Sequence, residues 1–434
     1  MNARFHCLAL IGPLWAFGCG SGASDGPRDT GSGAGSPTTG GQQSLAGSGG
    51  SSGGGATSGS SPGGQSATTG GTGAMPGAGS GSGGTSAGGA ASSGNKAVVY
   101  VGGFGEAPLS IYDLDKASGV LTERPDKVDA GPEPTCLAID ASGKHLYVCS
   151  EDDSDAGGLT AFNIAADGSL SQPQHRSGSD GGFTSLAISP NGKFIAGASY
   201  GGGSASVFPI NADGSVGAEI GAADFGGNAQ THCVGWDPTG KFLLVTTKGS
   251  DAVQQLKVAD DGMPSPNTPP SVATAPDAGP RHLAVHPSGK LAFVVTENGS
   301  TVIPYQMSAA GTLTSGTVVS SLPAGWDGQN TGAHVELSPD GKILYASNRG
   351  HDSIGVFAIN QESGALTLLE HASVNGASPH DFDVDRGGKL LITGNRHGNS
   401  LSVLKIGADG KLTAAGEAVP TRDEPTAVLI HELQ

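Results

Sequence analysis

Charged, imidazole and hydroxyl side chains recur in this 434-residue sequence at two fixed distances from a repeated glycine. The six glycines, each in a polar turn between apolar runs, are Gly143, Gly192, Gly240, Gly289, Gly341 and Gly388. Eight residues before them lie Thr135, Thr184, His232, Arg281, Ala333 and His380. Eight residues after them lie Glu151, Tyr200, Lys248, Glu297, Arg349 and Arg396. Carboxylate and imidazole groups transfer protons and guanidinium groups hold anions, so these positions could carry out acid–base chemistry on an anionic ligand.

The segment from Gly279 to Val302, GPRHLAVHPSGKLAFVVTENGSTV, indicates which elements position these residues. Two short apolar runs flank a turn that contains Pro287 and Gly289, so the segment is typical of a β-hairpin. Antiparallel pairing places the start of the first strand beside the end of the second. Both sets of residues should therefore lie at the same end of their hairpins.

The spacing of the hairpins predicts an all-β propeller. Successive turn glycines are 49, 48, 49, 52 and 47 residues apart, and a β-type repeat near fifty residues indicates propeller blades. Residues 97–104 match only the second strand of the hairpin, and residues 425–430 match only the first. The two halves predict a seven-bladed β-propeller of four-stranded blades, with the C-terminal strand closing the ring.

In such a ring the two sets of residues would surround one mouth of the central channel, which we take as the candidate site. The alternative for any single residue is a solvated side chain at a loop edge. The ring residues that can transfer a proton or hold an anion include His232, Arg281, Glu297 and Arg349. Tyr200, Lys248, His380 and Arg396 lie in the same rings and are predicted to bind substrate.

The N-terminal region predicts export and a tether. Residues 1–18 combine Arg4 with a short apolar core, which is typical of a secretory signal, and Cys19 follows at a position that resembles a bacterial lipoprotein cleavage site. Ordinary secretory cleavage nearby is the alternative. Residues 20–95 are rich in Gly and Ser and are expected to be a disordered linker, before a propeller domain at 96–434. We expect a lipid-anchored protein of the bacterial cell envelope, at the outer membrane or cell surface.

Composition excludes several classes of function. A net charge of −17 argues against nucleic acid as a partner. The sequence has no CxxC or HExxH motif, so no metal and no cofactor are expected, and we expect a monomer that acts on a small molecule. Cys136 and Cys149 lie on facing strands of one hairpin, where a disulfide and two buried free thiols are both consistent with the sequence.

Several segments resemble a known family of seven-bladed propellers. SYGGGS (199–204), PRHLAVHPSGK (280–290) and SPDGKILYASNRGHDSIGVF (338–357) are similar to the lactonase family that includes bacterial 6-phosphogluconolactonase and fungal carboxymuconate-lactonising enzymes. The resemblance spans roughly residues 97 to 433 and implies catalytic roles for His232, Arg281, Glu297 and Arg349. This sequence departs from the family pattern before His232, at His334, and at His380 and Arg396, which leaves the substrate open.

Together with the predicted export, the resemblance implies a lactone hydrolase that opens a small anionic lactone by metal-free, general-base attack of water. Either Glu297 or His232 could be the base, and Arg281 and Arg349 could hold the anion and stabilise the oxyanion. An alternative from another class is a non-catalytic surface propeller that binds a saccharide or a protein, because fold alone does not give function.

Overall fold

Each period of about fifty residues forms one antiparallel sheet, in the computed structural model that describes residues 96–104, 108–152, 157–422 and 424–433. The first blade contains the strands β1 (Lys96–Gly103), β2 (Leu109–Asp115) and β3 (Val120–Val128). Blades two to four contain β4 (Pro134–Ile139), β5 (His145–Ser150), β6 (Gly158–Ile164), β7 (Leu170–Arg176), β8 (Ser185–Ile188), β9 (Phe194–Ser199), β10 (Ser204–Pro209), β11 (Gly221–Asp224), β12 (Thr231–Trp236), β13 (Phe242–Thr247), β14 (Ala252–Val258) and β15 (Pro264–Ala273).

The last three blades follow the same pattern from inner to outer strand. They contain β16 (Pro280–Val285), β17 (Leu291–Thr296), β18 (Thr301–Met307), β19 (Leu313–Ser315), β20 (Val319–Ser320), β21 (Thr331–Leu337), β22 (Ile343–Arg349), β23 (Ser353–Ile359), β24 (Leu366–Ser373), β25 (Pro379–Val384), β26 (Leu390–Asn395), β27 (Ser400–Ile406), β28 (Leu412–Ala414), β29 (Val419–Pro420) and β30 (Pro425–Glu432). Two 3-10 helices, at Gly227–Ala229 and Lys248–Ser250, interrupt the loops of blade four. No helix of the described residues is long and apolar enough to cross a membrane.

The seven sheets close into a ring, as the sequence predicts. The inner strands β4, β8, β12, β16, β21 and β25 contact one another in order, and β30 contacts both β25 and β4. The C-terminal strand β30 pairs antiparallel with β1 and so becomes the inner strand of the first blade. The predicted seven-bladed propeller and its closure by the C-terminal strand are confirmed.

Apolar packing between blades holds the ring together. One cluster of buried side chains fills each of the seven interfaces between neighbouring blades. Buried tyrosines also connect blades, since Tyr100, Tyr147 and Tyr345 each donate a hydrogen bond to a turn carbonyl of the following blade, at 2.8 to 3.0 Å. These contacts fix the inner strands that carry the candidate site.

A β-bulge near the start of the inner strand is the local feature that the repeat pattern does not reveal. Register shifts occur in β4, β12, β16, β21 and β25, each with one extra residue opposite the second strand. A bulge re-aims the side chains around it. In β21, for example, the amide of His334 leaves the ladder and donates instead to the hydroxyl of Ser347, at 2.9 Å. Consecutive residues of these strands consequently both line the channel.

The cysteines of blade two are joined. Cys136 of β4 and Cys149 of β5 are register partners and form a disulfide, with Cα atoms 5.1 Å apart. Of the two possibilities that the sequence leaves open, the structure shows the disulfide. Among the described residues, Cys233 is a buried free thiol. The predicted signal, the lipidation site at Cys19 and the linker at 20–95 lie outside the described residues, and these domain boundaries stay predictions.

Candidate active site in the central channel

The inner strands of all seven blades enclose a cavity of about 500 Å3 in the central channel. Five side chains that lie eight residues before the turn glycines line its mouth: Thr135, Thr184, His232, Arg281 and His380. Glu151 lies beside them. Thr426 of β30 takes the corresponding place in the split blade. The structure thus brings the first predicted set together, although whether these residues act in catalysis stays a prediction.

Four residues of blades four to six form what we call the mouth cluster: Lys248, Arg281, Glu297 and Arg349. Glu297 Oε1 lies 2.9 Å from Lys248 Nζ, and its Oε2 lies 2.9 Å from Arg281 Nε and 3.4 Å from Arg349 Nη2. Three cations therefore contact one carboxylate, and positive charge is left in excess. Burial alone would raise the pKa of Glu297, but Arg281 and Arg349 lower it below its usual range, so this carboxylate is ionised.

Arg281 lies at the centre of the mouth cluster and is 4% exposed. Besides Glu297, it donates to the carbonyl of Ala333 at 2.9 Å and contacts His380 Nε2 at 3.0 Å. A guanidinium can only donate, so Nε2 of His380 is the acceptor, and its Nδ1–H faces the Thr426 carbonyl at 3.3 Å. His380, predicted to bind substrate, is thus a neutral imidazole that orients Arg281. Burial and the charge of Arg281 hold its pKa well below the usual range.

Arg349 carries the clearest sign of unbalanced positive charge. Its Nη2 donates to the Gly332 carbonyl at 3.1 Å, whereas its buried Nε has no hydrogen-bond partner among the described residues. Burial and the neighbouring charge of Arg281 lower the pKa of Arg349 to about 9. An anion bound next to Arg349 and Arg281 would offset the repulsion between their charges.

His232 lines the same mouth from blade four. It is 7% exposed, its ring lies 5.9 Å from that of Tyr200 and 5.2 Å from that of His282, and its buried Nδ1 has no hydrogen-bond partner among the described residues. Burial, followed by the charge of Arg281, holds its pKa well below the usual range. His232 is therefore neutral.

The remaining predicted substrate-binding residues lie around the rim. Lys248 Nζ lies 5.8 Å from the centroid of the Tyr200 ring and joins it to the mouth cluster. Arg396 pairs with Glu424 at 2.7 Å and lies over the Phe104 ring at 4.4 Å.

Deeper in the channel the bulges present a second set of polar side chains, which we call the channel relay: His282, His334 and Asp381. His282 Nδ1 lies 2.7 Å from His334 Nδ1, which in turn lies 3.1 Å from Asp381 Oδ1. The spacing from the turn glycines missed all three residues, and His334 was named only as a departure from the family pattern. The signal in the sequence is the run of two polar residues within a strand, as in Arg281–His282 and His380–Asp381, which breaks strand alternation.

Three further carboxyl groups line the channel. Burial raises the pKa of Glu151 at the mouth to about 7. Glu336 and Asp383, below the channel relay, are buried together, and burial raises the pKa of Asp383 to about 7 and that of Glu336 well above its usual range. In the part of the chain that the structure describes, no group of three or more His, Cys, Asp or Glu side chains has the geometry to hold a metal ion.

The fold and the site define the chain as a seven-bladed β-propeller whose central channel has cations at one mouth and titratable groups inside. Within that class, the chain belongs to the seven-bladed β-propeller lactonase family, because the family profile described as Lactonase, 7-bladed beta-propeller matches residues 98–430. The family expected from the sequence is confirmed.

Individual relatives agree with this assignment. The chain is 30% identical over 320 residues to 6-phosphogluconolactonase of Serratia proteamaculans, covering 73% of this chain and 94% of the relative. It is 28% identical over 352 residues to 6-phosphogluconolactonase of Bacillus subtilis, covering 78% of this chain and 99% of the relative. The structure of the periplasmic gluconolactonase of Pseudomonas aeruginosa superposes with a TM-score of 0.71 at 24% identity, covering 78% of this chain and all of that one, and so matches the fold.

Proposed function

We propose that this protein hydrolyses a small anionic lactone, with the reaction at the channel mouth. The observation that supports an anionic substrate is the mouth cluster, where three cations contact one carboxylate in a protein whose net charge is −17. A local excess of positive charge against an acidic background attracts anions into the cleft. The names of the relatives point the same way, since 6-phosphogluconolactone is an anionic lactone of a sugar acid.

The mouth cluster supplies two of the three functions that lactone opening needs. Arg349 and Lys248, which contact Glu297 next to Arg281, hold the carboxylate or phosphate of the substrate. Arg281 lines the channel and faces the carbonyl oxygen, which gains negative charge when water adds. Glu297 keeps the three cations together.

The third function is a base that accepts a proton from the attacking water, without a metal. Glu297 is a weak base, because two arginines lower its pKa. His232 is neutral and lines the channel, but nothing in the described residues hydrogen-bonds its Nδ1 to stabilise an imidazolium. Glu297 is thus too weak a base, and His232 lacks a hydrogen-bond partner that would stabilise its protonated form.

Hydrolysis assays test the proposed function. Purified protein is offered pairs of lactones that share a ring and differ only in a carboxylate or phosphate, and released acid is measured by pH-stat. We expect a kcat/KM at least about tenfold higher for the anionic member, which corresponds to 1.4 kcal/mol or more. Hydrolysis of no lactone, or equal rates for both members of every pair, contradicts the proposal. Binding of a saccharide or protein without hydrolysis supports the scaffold alternative.

Export to the cell envelope is the second part of the proposal, and its support is the signal-like pattern of residues 1–18 followed by Cys19. The substitution Cys19→Ser should abolish membrane fractionation and incorporation of labelled palmitate. Equal incorporation in the wild type and the variant contradicts lipidation at this residue.

A further inference from the structure

The channel relay lies directly below the mouth cluster. Arg281 and His282 are consecutive residues of the β16 bulge, and Ala333, whose carbonyl accepts from Arg281, precedes His334 in the β21 bulge. The three relay residues all line the cavity. A molecule held by Arg281 therefore meets the channel relay as the next layer of the channel.

The hydrogen bonds of the relay fix where its proton lies. Asp381 Oδ2 accepts the Val428 amide at 2.9 Å, which leaves Oδ1 for His334. When Asp381 is ionised, it can only accept, so His334 carries its proton on Nδ1 and His282 Nδ1 is a second acceptor for that proton. The lone pair of His334 is then on Nε2. No described residue hydrogen-bonds Nε2, and the side chain is 20% exposed within the channel.

We propose that His334 and Asp381 form the base of the reaction: His334 Nε2 takes a proton from the attacking water, and Asp381 Oδ1 receives the proton from His334 Nδ1. This inference rests on the proposed lactonase function and supplies its missing base. His334 touches the reacting water and is the catalytic residue, whereas Asp381 and His282 act through it as positioning residues.

The reaction balances without another reactant. One O–H bond of water breaks, its proton goes to the relay, and the hydroxide oxygen bonds to the lactone carbonyl carbon. The tetrahedral intermediate collapses by breaking the ring C–O bond, and the leaving alkoxide takes a proton back from His334. The product is a hydroxy acid, whose carboxyl proton is released to solvent and is what a pH-stat records.

The electrostatics of the pair suit this direction of transfer. Burial and the charge of Arg281 lower the pKa of His334 to about 3, so His334 alone is a weak base and the basicity of the pair depends on Asp381. Burial, assisted by Asp383, raises the pKa of Asp381 to about 7, so this carboxylate can hold the proton near neutral pH. The titratable groups that face the pair from the packed strands are Arg281, His282, Glu336, His380 and Asp383. The β30 strand contributes the Val428 amide.

Two substitutions separate chemistry from structure. In His334→Asn the amide nitrogen can still donate to Asp381, but no group replaces Nε2. In Asp381→Asn the side-chain oxygen can still accept the Val428 amide, but its NH2 faces His334 and forces the wrong tautomer. We expect each to lower kcat by about 100-fold or more, the usual range for loss of a general base, with KM changed less than about threefold. The wild-type kcat/KM should rise with pH through about 7, and this rise should be absent in Asp381→Asn.

The chain offers a closely matched control pair. His145 Nδ1 and Asp140 Oδ2 are also 3.1 Å apart, with side chains 19% and 18% exposed, compared with 20% and 18% in the relay. This pair lies at the turn of blade two, outside the channel lining. His145→Asn and Asp140→Asn should leave kcat within about twofold.

The outcomes distinguish this inference from the function on which it rests. Hydrolysis of no lactone by the wild type refutes the proposed function and this role together. A lactone opened by the wild type, and equally fast by folded His334→Asn and Asp381→Asn proteins with an unchanged pH profile, refutes the relay alone. Thermal melting checks folding, and if Asp381→Asn does not fold, the kcat and pH profile of His334→Asn decide.

Discussion

The substitution Glu297→Gln tests whether one carboxylate holds three cations at the channel mouth. The variant keeps the size of the side chain but leaves Lys248, Arg281 and Arg349 without their shared anion. Removing one partner of a buried ion pair costs 3–5 kcal/mol, and because Glu297 is 16% exposed we expect about 3 kcal/mol. With an unfolding entropy of about 2.1 cal/mol/K per residue over roughly 340 residues, Tm should fall by about 4 °C.

The assay is thermal melting of wild type and variant, with and without millimolar sulfate. Because the variant has one more unbalanced positive charge, sulfate should raise its Tm more than that of the wild type. Glu424→Gln is the control, since Glu424 also pairs with an arginine at 2.7 Å but is 40% exposed, and its loss should cost less than about 1 kcal/mol. A Glu297→Gln protein that melts within a degree of wild type, with the same response to sulfate, refutes the reasoning.

Three further predictions follow from the same contacts. Arg281→Lys should lower kcat/KM by about 100-fold or more, because an ammonium cannot reproduce the planar contacts to Glu297, Ala333 and His380, and a loss below threefold in steady-state kinetics contradicts this. The substitution Asp383→Asn removes a carboxyl group whose pKa is raised to about 7 by burial in the folded protein. Wild-type stability relative to the variant should therefore be highest near pH 4 and fall as the pH rises through about 7, and a constant difference in denaturant unfolding refutes it. Deletion of residues 424–434 removes the inner strand of blade one and exposes the β1 edge, so the protein should aggregate; a soluble truncation with unchanged Tm contradicts the ring closure.

The blades could be predicted from the sequence because each hairpin is encoded locally. Turn residues such as Pro287 and Gly289 and the flanking apolar runs recur in every repeat, and the two incomplete hairpins at residues 97–104 and 425–430 define the closure. Gly289 indeed has a φ of +67° in its turn, a conformation that favours glycine. The spacing from the turn glycines also found all four residues of the mouth cluster, and the family resemblance singled out Arg281, Glu297 and Arg349 among them.

The contents of the channel could not be predicted in the same way. Counting positions from the turn glycines assumes that successive side chains of a strand point to opposite faces. One extra residue in β16, β21 and β25 breaks that alternation where the site lies. The partners of Glu297 also depend on how far each long side chain reaches, which spacing along the chain does not contain. The sequence therefore indicated the mouth of the channel but not the His334–Asp381 pair beneath it.

The two layers of the channel are electrostatically coupled, and the coupling favours catalysis on an anionic substrate. Arg281 lowers the pKa of both His334 and Asp381 in the protein without a bound anion. An anion held at the mouth offsets that positive charge, so both pKa values rise when substrate binds. A base whose pKa rises takes a proton more readily, and this occurs only when the channel contains the molecule to be opened. The cations at the mouth therefore select an anionic ligand and also strengthen the base that lies one layer below them.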